Sequence, residues 1–473
     1  MQVNLRLTRS LSRALGLFFV TVFLASCGPA ADDGTAQVVR SDSPGGPNAT
    51  TIAVSRDSYR DKLYGFWLGQ CIANWTGLVT EMDKIGGEGP HGEFYTRENW
   101  GKPDQPNIWS EGSPSDLSEN IDWVLEEDGG TWGADDDTDI EYIYQHLLLK
   151  HQTSILSGEK IRDGWMQHIF SDDNTPFTNA NGEKENFLWV SNQRAHDLMR
   201  IDGMVPPATS DPINNPHYEM IDAQLTTEIF GLFAPARTDI ALKMARLPIR
   251  TTARENAAWA AEFYVLMYSL ASAVDTDLPM KYQIQWMANQ ARTHLPDDSY
   301  TARMFDFVKS QHKAGVTWEE ARDAVYERYQ VEQQDGYDIR SRDMYCNGCF
   351  ASGINFAASI VSLLYGEGDF KETVKIAVLT GWDSDNPAAT WGGLLGFMHG
   401  KGGIEQAFGR SLAGQFNIHR TRRNFPNDGI DTLDAMAENG LLVVDRVVRE
   451  EMGGVFDITN NQWLIPGVVR GAE

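Results

Sequence analysis

A run of three consecutive aspartates, Asp135 to Asp137, is the feature that most constrains this chain. Three adjacent carboxylates repel one another in a compact fold unless a positive field offsets them, and a helix N-terminus or a bound cation supplies such a field. Apolar residues then recur at helical spacing, at Ile140, Ile143, Tyr144, Leu147 and Leu148. The aspartates are therefore predicted to lie just before or within the first turn of a helix, and three in a row exceed what helix capping needs.

A second acidic segment, Gly381-Trp382-Asp383-Ser384-Asp385-Asn386, repeats this arrangement far downstream. One predicted helix opens at Asp369 and ends at Gly381. Asn386 and Pro387 directly follow Asp385, and this pair is typical of an N-cap followed by a first-turn proline. The two aspartates of the segment are thus expected on a short connection directly before a helix.

The rest of the chain is predicted to be overwhelmingly helical. Apolar residues repeat every three or four positions in most segments, whereas alternating runs typical of strands are few. The predicted helices are Tyr59 to Thr76, Ile140 to Lys150, Thr226 to Leu247, Ala257 to Val274, Gly353 to Tyr365, Phe370 to Leu379 and Pro387 to His399. This pattern predicts an all-α fold.

The first 26 residues are typical of an export signal, because three arginines precede an apolar run that is too short to cross a bilayer. The following Leu24-Ala-Ser-Cys27 resembles the lipobox of bacterial lipoproteins, in which the cysteine is lipidated. An ordinary signal peptide with an incidental cysteine is the alternative. By the same resemblance, Gly28 implies retention at the outer membrane of the cell envelope, facing the periplasm or the surface. Residues 27–55 then form the lipidated cysteine and a flexible tether.

Charge and cysteine content restrict the partners. A net charge of −26 argues against nucleic acid and anionic membrane surfaces, so a lipid anchor is the only predicted membrane contact. Cys71 is predicted to be a buried helical residue. Cys346 and Cys349 can close a small disulfide outside the cytoplasm, and the sequence leaves open whether they do. A single C-x-x-C pair is only a weak metal signal.

Several common active-site patterns are absent from the sequence. There is no G-x-S-x-G and no H-E-x-x-H. A calcium-binding EF-hand loop fails at Ile140, where glycine is required, and at His146, where a glutamate is required. Clusters that are rich in oxygen and poor in nitrogen and sulfur favour Mg²⁺, Mn²⁺ or Ca²⁺ over zinc or copper.

Three ordered segments together resemble the signatures of the ADP-ribosylglycohydrolase family, which includes the dinitrogenase-reductase activating glycohydrolases. These segments are Leu68 to Glu81, Asp135 to Thr138 and Leu364 to Asp385. The resemblance spans about Tyr59 to Gly403, with insertions between roughly 88–130 and 163–222. It implies that residues 56–473 form one catalytic domain with a compact, orthogonal multi-helix fold of this family. It also implies two divalent cations at the centre.

The resemblance places metal ligands on both acidic segments, at Asp135, Asp136, Asp137, Asp383, Asp385 and Asn386. Three positions depart from the family pattern. Asp135 and Asn386 each replace a usual threonine, and Asn74 replaces an aspartate of the first signature. Aspartate and asparagine both offer oxygen to a hard cation, so these changes alter the charge of the site without abolishing it. Whether they fully replace the threonines is left open.

The implied chemistry is hydrolysis at an anomeric carbon. Two divalent ions, with Mg²⁺ expected and Mn²⁺ or Ca²⁺ as alternatives, would orient sugar hydroxyls and lower the pKa of a water molecule. Glu81 matches a family glutamate that lies near the scissile bond. Either Glu81 or Asp137 is expected to carry the proton, with a solvated surface glutamate as the alternative reading of Glu81.

The predicted substrate is a small molecule or a glycan. Trp75, Trp132 and Trp382 adjoin the three signatures and are candidates for stacking on a sugar ring, with ordinary core packing as the alternative for each. No basic cluster that could hold a pyrophosphate accompanies the motifs, although helix N-termini could serve that purpose. An ADP-ribosyl conjugate and an environmental glycan both remain candidates.

Two hypotheses follow for the function. The first is an envelope-anchored, metal-dependent glycosidic hydrolase. The second is a catalytically weakened, metal-dependent sugar-binding lipoprotein. The presence of Glu81 and five aspartates in the motifs favours the enzyme. The sugar, the stereochemistry of cleavage and the oligomeric state are left open.

Overall fold

The structure, a computed structural model, describes residues 50–108, 115, 117–179, 182–339 and 345–468. The predicted signal peptide, Cys27 and the tether up to residue 49 lie outside the described residues. The last six residues of the predicted tether, Thr50–Ser55, form a strand, so that prediction extended too far into the fold. Among the described residues, no helix is both long enough and apolar enough to span a membrane.

Helices dominate the described part of the chain, and the predicted all-α class is confirmed. The helices are α1 (Arg56–Gly77), α2 (Asp136–Lys150), α3 (Gly158–His168), α4 (Val190–Asp202), α5 (Ile229–Leu232), α6 (Thr238–Ile249), α7 (Glu255–Leu270), α8 (Met280–Arg292), α9 (Tyr300–Ala314), α10 (Trp318–Val325), α11 (Ser352–Tyr365), α12 (Phe370–Thr380), α13 (Asp385–Phe408) and α14 (Leu433–Glu450). Their apolar faces enclose one continuous hydrophobic core.

One predicted helix is broken in the structure. The segment from Thr226 to Leu247 contains the short helix α5 and most of α6, separated by five residues. Pro235 lacks a backbone N–H group, and Ala236 adopts a left-handed backbone with φ 59°. Apolar residues continue at helical spacing across this connection, so periodicity alone could not detect the break.

Two small three-stranded sheets accompany the helices and were not predicted. The strands are β1 (Thr50–Ser55), β2 (Thr131–Gly133), β3 (Gln415–Asn417), β4 (Ile430–Thr432), β5 (Val455–Asp457) and β6 (Gln462–Val468). In the first sheet, β6 lies between β1 and β5, and both pairings are antiparallel. In the second, β3 pairs in parallel with β2 and antiparallel with β4. Because β2 ends just before Asp135, this second sheet fixes where the aspartate run begins.

The remaining cysteines are placed as follows. Cys346 and Cys349 form a disulfide, which answers the question that the sequence left open. Cys71 is a free thiol without exposed surface on α1, as predicted. Burial raises the pKa of this thiol well above its ordinary value, so Cys71 acts as a small apolar residue of the core.

Helices α1 and α13 cross with their backbones in direct contact. A Cβ atom added to Gly69 would lie 2.3 Å from the carbonyl oxygen of Gly392. At the end of α1, a Cβ atom on Gly77 would lie 2.3 Å from the Cα atom of Asp385. Real Cβ atoms do not approach backbone atoms so closely, and only glycine permits this crossing. The backbone contact therefore sets the position of Asp385 relative to α1.

Replacing Gly69 by alanine should destabilise the protein, because the added methyl group forces two backbones apart. We expect the free energy of unfolding to fall by about 2 kcal/mol or more, as for overpacked cores. Chemical denaturation measures the change. Gly402→Ala is the matched control, since Gly402 lies on α13 with no atom within 4 Å of the added Cβ. That variant should be neutral or slightly stabilised. Equal losses in both variants would contradict the role given to the crossing.

Candidate metal centre

Two clusters of carboxylates meet in the structure, and they share one aspartate. Within each cluster, one oxygen of every residue lies within 4.8 Å of an oxygen of the others. The first cluster contains Asp135, Asp136, Asp137 and Asp385, and the second contains Glu81, Asp383 and Asp385. The two acidic segments of the sequence are therefore brought together, and Asp385 belongs to both groups.

The first acidic segment opens α2, as predicted. Asp135 is the residue before the helix, and its backbone N–H donates to the hydroxyl of Thr138 at 3.0 Å. The same hydroxyl donates to the Asp135 carbonyl oxygen at 3.0 Å. Asp136 is half-buried at the start of the helix, whereas Asp137 is almost fully buried. The three side chains thus begin at a helix N-terminus, where the helix dipole favours negative charge.

The next aspartate of this helix, Asp139, has a structural role. Its carboxylate lies 2.9 Å from the guanidinium of Arg422, and neither side chain has exposed surface. The hydroxyl of Thr421 also donates to Asp139. Burial raises the pKa of Asp139 to about 6, while Arg422 opposes the rise. This buried ion pair attaches α2 to the segment that follows β3.

The second acidic segment leads into α13, which begins at Asp385. Ser384 is the residue before the helix, and its hydroxyl donates to the Gly77 carbonyl oxygen at 3.1 Å. The prediction that Asn386 is the N-cap was wrong, because Asn386 lies inside the first turn. Its amide donates to Oδ1 of Asp137 at 3.1 Å. Asn386 therefore links the two acidic segments directly.

Hydrogen bonds hold the turn that carries Glu81 against the second acidic segment. The backbone N–H of Met82 donates to the carbonyl oxygen of Trp382 at 2.9 Å. In turn, the backbone N–H of Trp382 donates to the carbonyl oxygen of Lys84 at 2.7 Å. Trp382 adopts φ 58°, an unfavourable conformation for a large side chain. These hydrogen bonds and the buried indole ring maintain this backbone conformation of Trp382. As a result Glu81 lies opposite Asp383.

The site carboxylates lie in a poorly solvated and strongly negative environment. Burial, and then the neighbouring carboxylates, raise the pKa values of Asp136, Asp137 and Asp383 well above the ordinary range. The same causes raise the pKa of Asp385 to about 7 and that of Glu81 well above its ordinary value. Ionising all these groups together is costly unless a positive charge lies among them.

The donor atoms fit hard divalent cations. Both clusters offer carboxylate oxygens, the ligands that Mg²⁺, Mn²⁺ and Ca²⁺ prefer. Two buried oxygens, Oδ1 of Asp385 and Oδ1 of Asn386, have no hydrogen-bond donor among the described residues. Buried polar atoms normally have partners, so these two oxygens are available as ligands. With these oxygen ligands, the two carboxylate clusters can hold metal ions.

Two of the departures from the family pattern contact each other. The amide of Asn74 donates to Oδ2 of Asp135 at 3.2 Å and to Oδ2 of Asp137 at 3.5 Å. The usual pattern has an aspartate at the first of these positions and a threonine at the second. Here Asn74 provides an amide that donates, and Asp135 provides the carboxylate that accepts. The donor and the acceptor have therefore exchanged positions, and the pair still contains one carboxylate. The two substitutions together conserve the charge of the pair.

Arg420 is a candidate functional residue that the sequence analysis missed. Its guanidinium lies 3.5 Å from Oδ1 of Asp135 and also donates to the Ala134 carbonyl oxygen. It lies 5.9 Å from the ring centre of Trp75, and its side chain is 38% exposed. A Cβ atom on Gly133 would lie 2.4 Å from Cδ of Arg420, so this glycine admits the arginine. Nothing local marks Arg420, because only the pairing of β2 with β3 brings it near Asp135.

The three tryptophans predicted to stack on sugar differ in exposure. Trp132 and Trp382 have no exposed surface, and their indole N–H groups donate to buried protein oxygens. Neither ring offers a face to a sugar in this structure, so we assign both to packing. Trp75 is partly exposed and packs edge-on against Trp132 with ring centres 5.7 Å apart. Trp75 alone of the three remains a candidate for substrate contact.

A second buried polar layer lies behind the acidic site. Gln70, Glu141 and Thr390 each lie four residues along α1, α2 or α13 from a residue of the site. The Gln70 amide donates to Glu141 at 2.7 Å, and the Thr390 hydroxyl donates to Glu228 at 2.8 Å. Burial raises the pKa of Glu228 to about 7. Burial and the neighbouring Glu228 carboxylate together raise the pKa of Glu141 well above its ordinary value. This layer fixes the three helices relative to one another.

Removing the shared carboxylate should affect both cation sites. We expect Asp385→Asn to weaken the binding of two Mn²⁺ ions by at least about tenfold each, and Asp136→Asn to weaken mainly one. Calorimetric titration measures both. Asp369→Asn is the control, because Asp369 caps α12 through Glu372 N–H at 2.8 Å and asparagine caps equally well. If Asp385→Asn left either ion bound at full affinity, Asp385 would not be shared.

The exchanged pair can be tested by restoring the usual residues. Asn74→Asp alone should lower the melting temperature in EDTA, because two carboxylates would then face each other without a donor. Asp135→Thr alone should weaken Mn²⁺ binding. The double variant should recover most of both losses, since a hydroxyl would again donate to a carboxylate. Melting curves and Mn²⁺ titrations of the four proteins test this expectation. Simple addition of the two single effects would show that the positions are independent.

Comparison with known proteins identifies the family of this chain. The sequence model of the family described as ADP-ribosylglycohydrolase matches residues 55–447. A solved structure titled "ADP-ribosylglycohydrolase-related protein complex" is similar, with 14% sequence identity and a TM-score of 0.46, over 82% of this chain and 99% of that chain. No curated protein matches the sequence significantly. Since the family match covers most of the chain and every residue of both carboxylate clusters, this chain belongs to the ADP-ribosylglycohydrolase family.

Proposed function

We propose that this protein is a divalent-metal-dependent hydrolase that cleaves a glycosidic bond. Membership of the family supports a hydrolase. The observation that carries the proposal is the meeting of two carboxylate clusters at Asp385, next to the part-exposed Glu81. Two adjacent cation sites, with the more exposed carboxyl group of Glu81 at the edge of the second, are the parts that metal-assisted hydrolysis at a sugar carbon requires.

The two clusters divide the ligands between them. Asp135, Asp136 and Asp137 would hold one cation, Asp383 would hold the other, and Asp385 would contact both, with Mg²⁺ expected. Bound there, the cations would orient sugar hydroxyls and lower the pKa of a water molecule. The amide of Asn74 and the guanidinium of Arg420 keep the Asp135 carboxylate in place, and the surrounding burial limits access of bulk water.

Glu81 is the proposed proton donor to the leaving group. It lies on the turn after α1 and is partly exposed, whereas its two cluster partners, Asp383 and Asp385, are buried. The other candidate, Asp137, is only 2% exposed and accepts hydrogen bonds from the amides of Asn74 and Asn386. We therefore assign Asp137 to cation binding and the proton transfer to Glu81.

A neutral glycan is the proposed substrate class. Arg420, the arginine that borders the clusters, is already paired with Asp135, so its charge is partly neutralised. Trp75 beside it is partly exposed, and an aromatic ring of this kind can stack on the C–H groups of a sugar. An ADP-ribosyl conjugate is the competing substrate that the family suggests. We also propose, from residues 1–27 alone, that the protein is exported and anchored to the outer membrane through lipid on Cys27.

Hydrolysis assays with and without metal test the proposed function. Purified protein should cleave at least one compound among neutral oligosaccharides, ADP-ribosyl-arginine and ADP-ribosyl-serine in Mg²⁺ or Mn²⁺, and EDTA should abolish the activity. Glu81→Gln should lower kcat by about a hundredfold while cation binding persists. Glu88→Gln, an exposed glutamate of the same loop region, is the control and should retain full activity.

Three results would contradict this function. Activity that survives EDTA would exclude the role of the cations. An active Glu81→Gln variant would exclude Glu81 as the proton donor. Metal-dependent binding of a sugar without any turnover would favour the alternative, a sugar-binding lipoprotein.

A further inference from the structure

A cavity of about 500 Å³ lies outside the acidic clusters and has no part in the chemistry above. Its lining combines aromatic and polar side chains. Trp189, directly before α4, is 38% exposed, and Phe350 and Cys346 contribute from the segment before α11. An accessible tryptophan at the wall of a cavity is a common feature of sites that bind rings.

One wall of this cavity is tied to the turn that carries Glu81. Ile108 lines the cavity, and its backbone N–H donates to the carbonyl oxygen of Met82 at 3.3 Å. Met82 directly follows Glu81 in the chain. One backbone hydrogen bond therefore connects the lining of the cavity to the turn that carries Glu81, whereas Arg420 and Trp75 lie beside Asp135.

The opposite wall is tied to the other half of the same cluster. Asn355 on α11 donates its amide to the Cys349 carbonyl oxygen at 2.7 Å, and Phe350 of the cavity is the next residue. The side-chain oxygen of Asn355 accepts from the backbone N–H of Asp383 at 3.2 Å. Hydrogen bonds thus connect two segments of the lining to the segments that hold Glu81 and Asp383.

A polar donor without a partner lies in the lining. Oε1 of Gln193 accepts from the amide of Asn186 at 2.8 Å, which fixes the orientation of the Gln193 side chain. Its Nε2 atom is buried, and among the described residues nothing accepts a hydrogen bond from it. A buried amide donor is normally paired, so Nε2 would gain a partner if the Gln193 side chain turned toward the cavity and met an acceptor oxygen of a ligand.

The charged residues of the lining do not favour a phosphate. Arg194 donates through Nε to the Asn214 carbonyl oxygen at 2.8 Å, and Asp197 lies 3.4 Å from Arg200. The two charged side chains carry opposite signs, so the lining has no net positive charge from them. An aromatic face together with neutral or paired polar groups matches a neutral sugar ring, whose C–H face stacks and whose hydroxyls form hydrogen bonds.

We propose that this cavity is a sugar-binding subsite, in which Trp189 stacks on a neutral ring of a glycan and Gln193 donates to one of its oxygens. The proposal rests on the proposed function, because a subsite on the Glu81 side would hold the sugar that leaves when Glu81 delivers its proton. With this subsite, the enzyme would bind an oligosaccharide in preference to a single sugar.

Binding measurements on the purified protein test the subsite. Cello-, xylo-, malto- and galacto-oligosaccharides, adenosine and AMP are titrated calorimetrically, in Mn²⁺ and again in EDTA. At least one oligosaccharide should bind under both conditions. Trp189→Ala should weaken that binding about tenfold, the effect of losing one stacked ring, and Gln193→Leu should weaken it several-fold. Mn²⁺ affinity should be unchanged in both variants.

Tyr282→Ala is the control, because Tyr282 is an exposed aromatic residue of α8 and does not line this cavity. Its sugar affinity should equal that of the wild type. The proposal is overturned if no oligosaccharide binds, if both cavity variants bind normally, or if only adenosine and AMP bind. Turnover of ADP-ribosyl-arginine without sugar binding would contradict the subsite and support the hydrolase function. Trp189-dependent sugar binding without turnover of any compound would support the subsite and contradict the hydrolase function.

Discussion

The acidic site depends on the contact between the backbones of α1 and α13. Because Gly69 faces Gly392 and Gly77 reaches Asp385, no side chain separates the end of one helix from the start of the other. The turn after α1 then carries Glu81 to the cluster that Asp385 shares. Larger residues at this crossing would move the two clusters apart. Helix packing and the chemistry of the site therefore cannot vary independently in this protein.

The burial of several carboxylates close together is the main cost of this arrangement. Their raised pKa values reflect burial first and mutual repulsion second. The amides of Asn74 and Asn386 and the guanidinium of Arg420 offset a part of it. Cations that bind only the folded protein would offset much of the remainder, so cation binding and folding are thermodynamically linked. The buried pair Glu141 and Glu228 adds two more carboxyl groups of raised pKa behind the site, and their hydrogen bonds limit the cost of burying them.

Features encoded over a few residues could be predicted from the sequence, and features created by distant segments could not. Helical spacing located α1, α2 and α13, and the acidic segments at two helix starts indicated a shared site. Strands of three residues have too few positions to show alternation. Arg420 lies 285 residues from Asp135, and the exposure of a tryptophan is decided by what packs over it. For this reason the sequence left open whether Trp132 and Trp382 pack in the core or contact a sugar, and the accessible Trp189 carried no sequence signal.

The pairing of β1 with β6 also affects how this chain can fold. The first described strand is completed only by one of the last, and the side chain of Arg56 binds Asn461 at 3.0 Å across 405 residues of sequence. Contacts of this span form late, because a long loop must close first. At about 5–20 residues per second, a ribosome needs at least about 20 s to supply the missing strand. Throughout that time the nascent chain lacks the strand that completes this sheet, so the sheet can form only after nearly the whole chain has been synthesised.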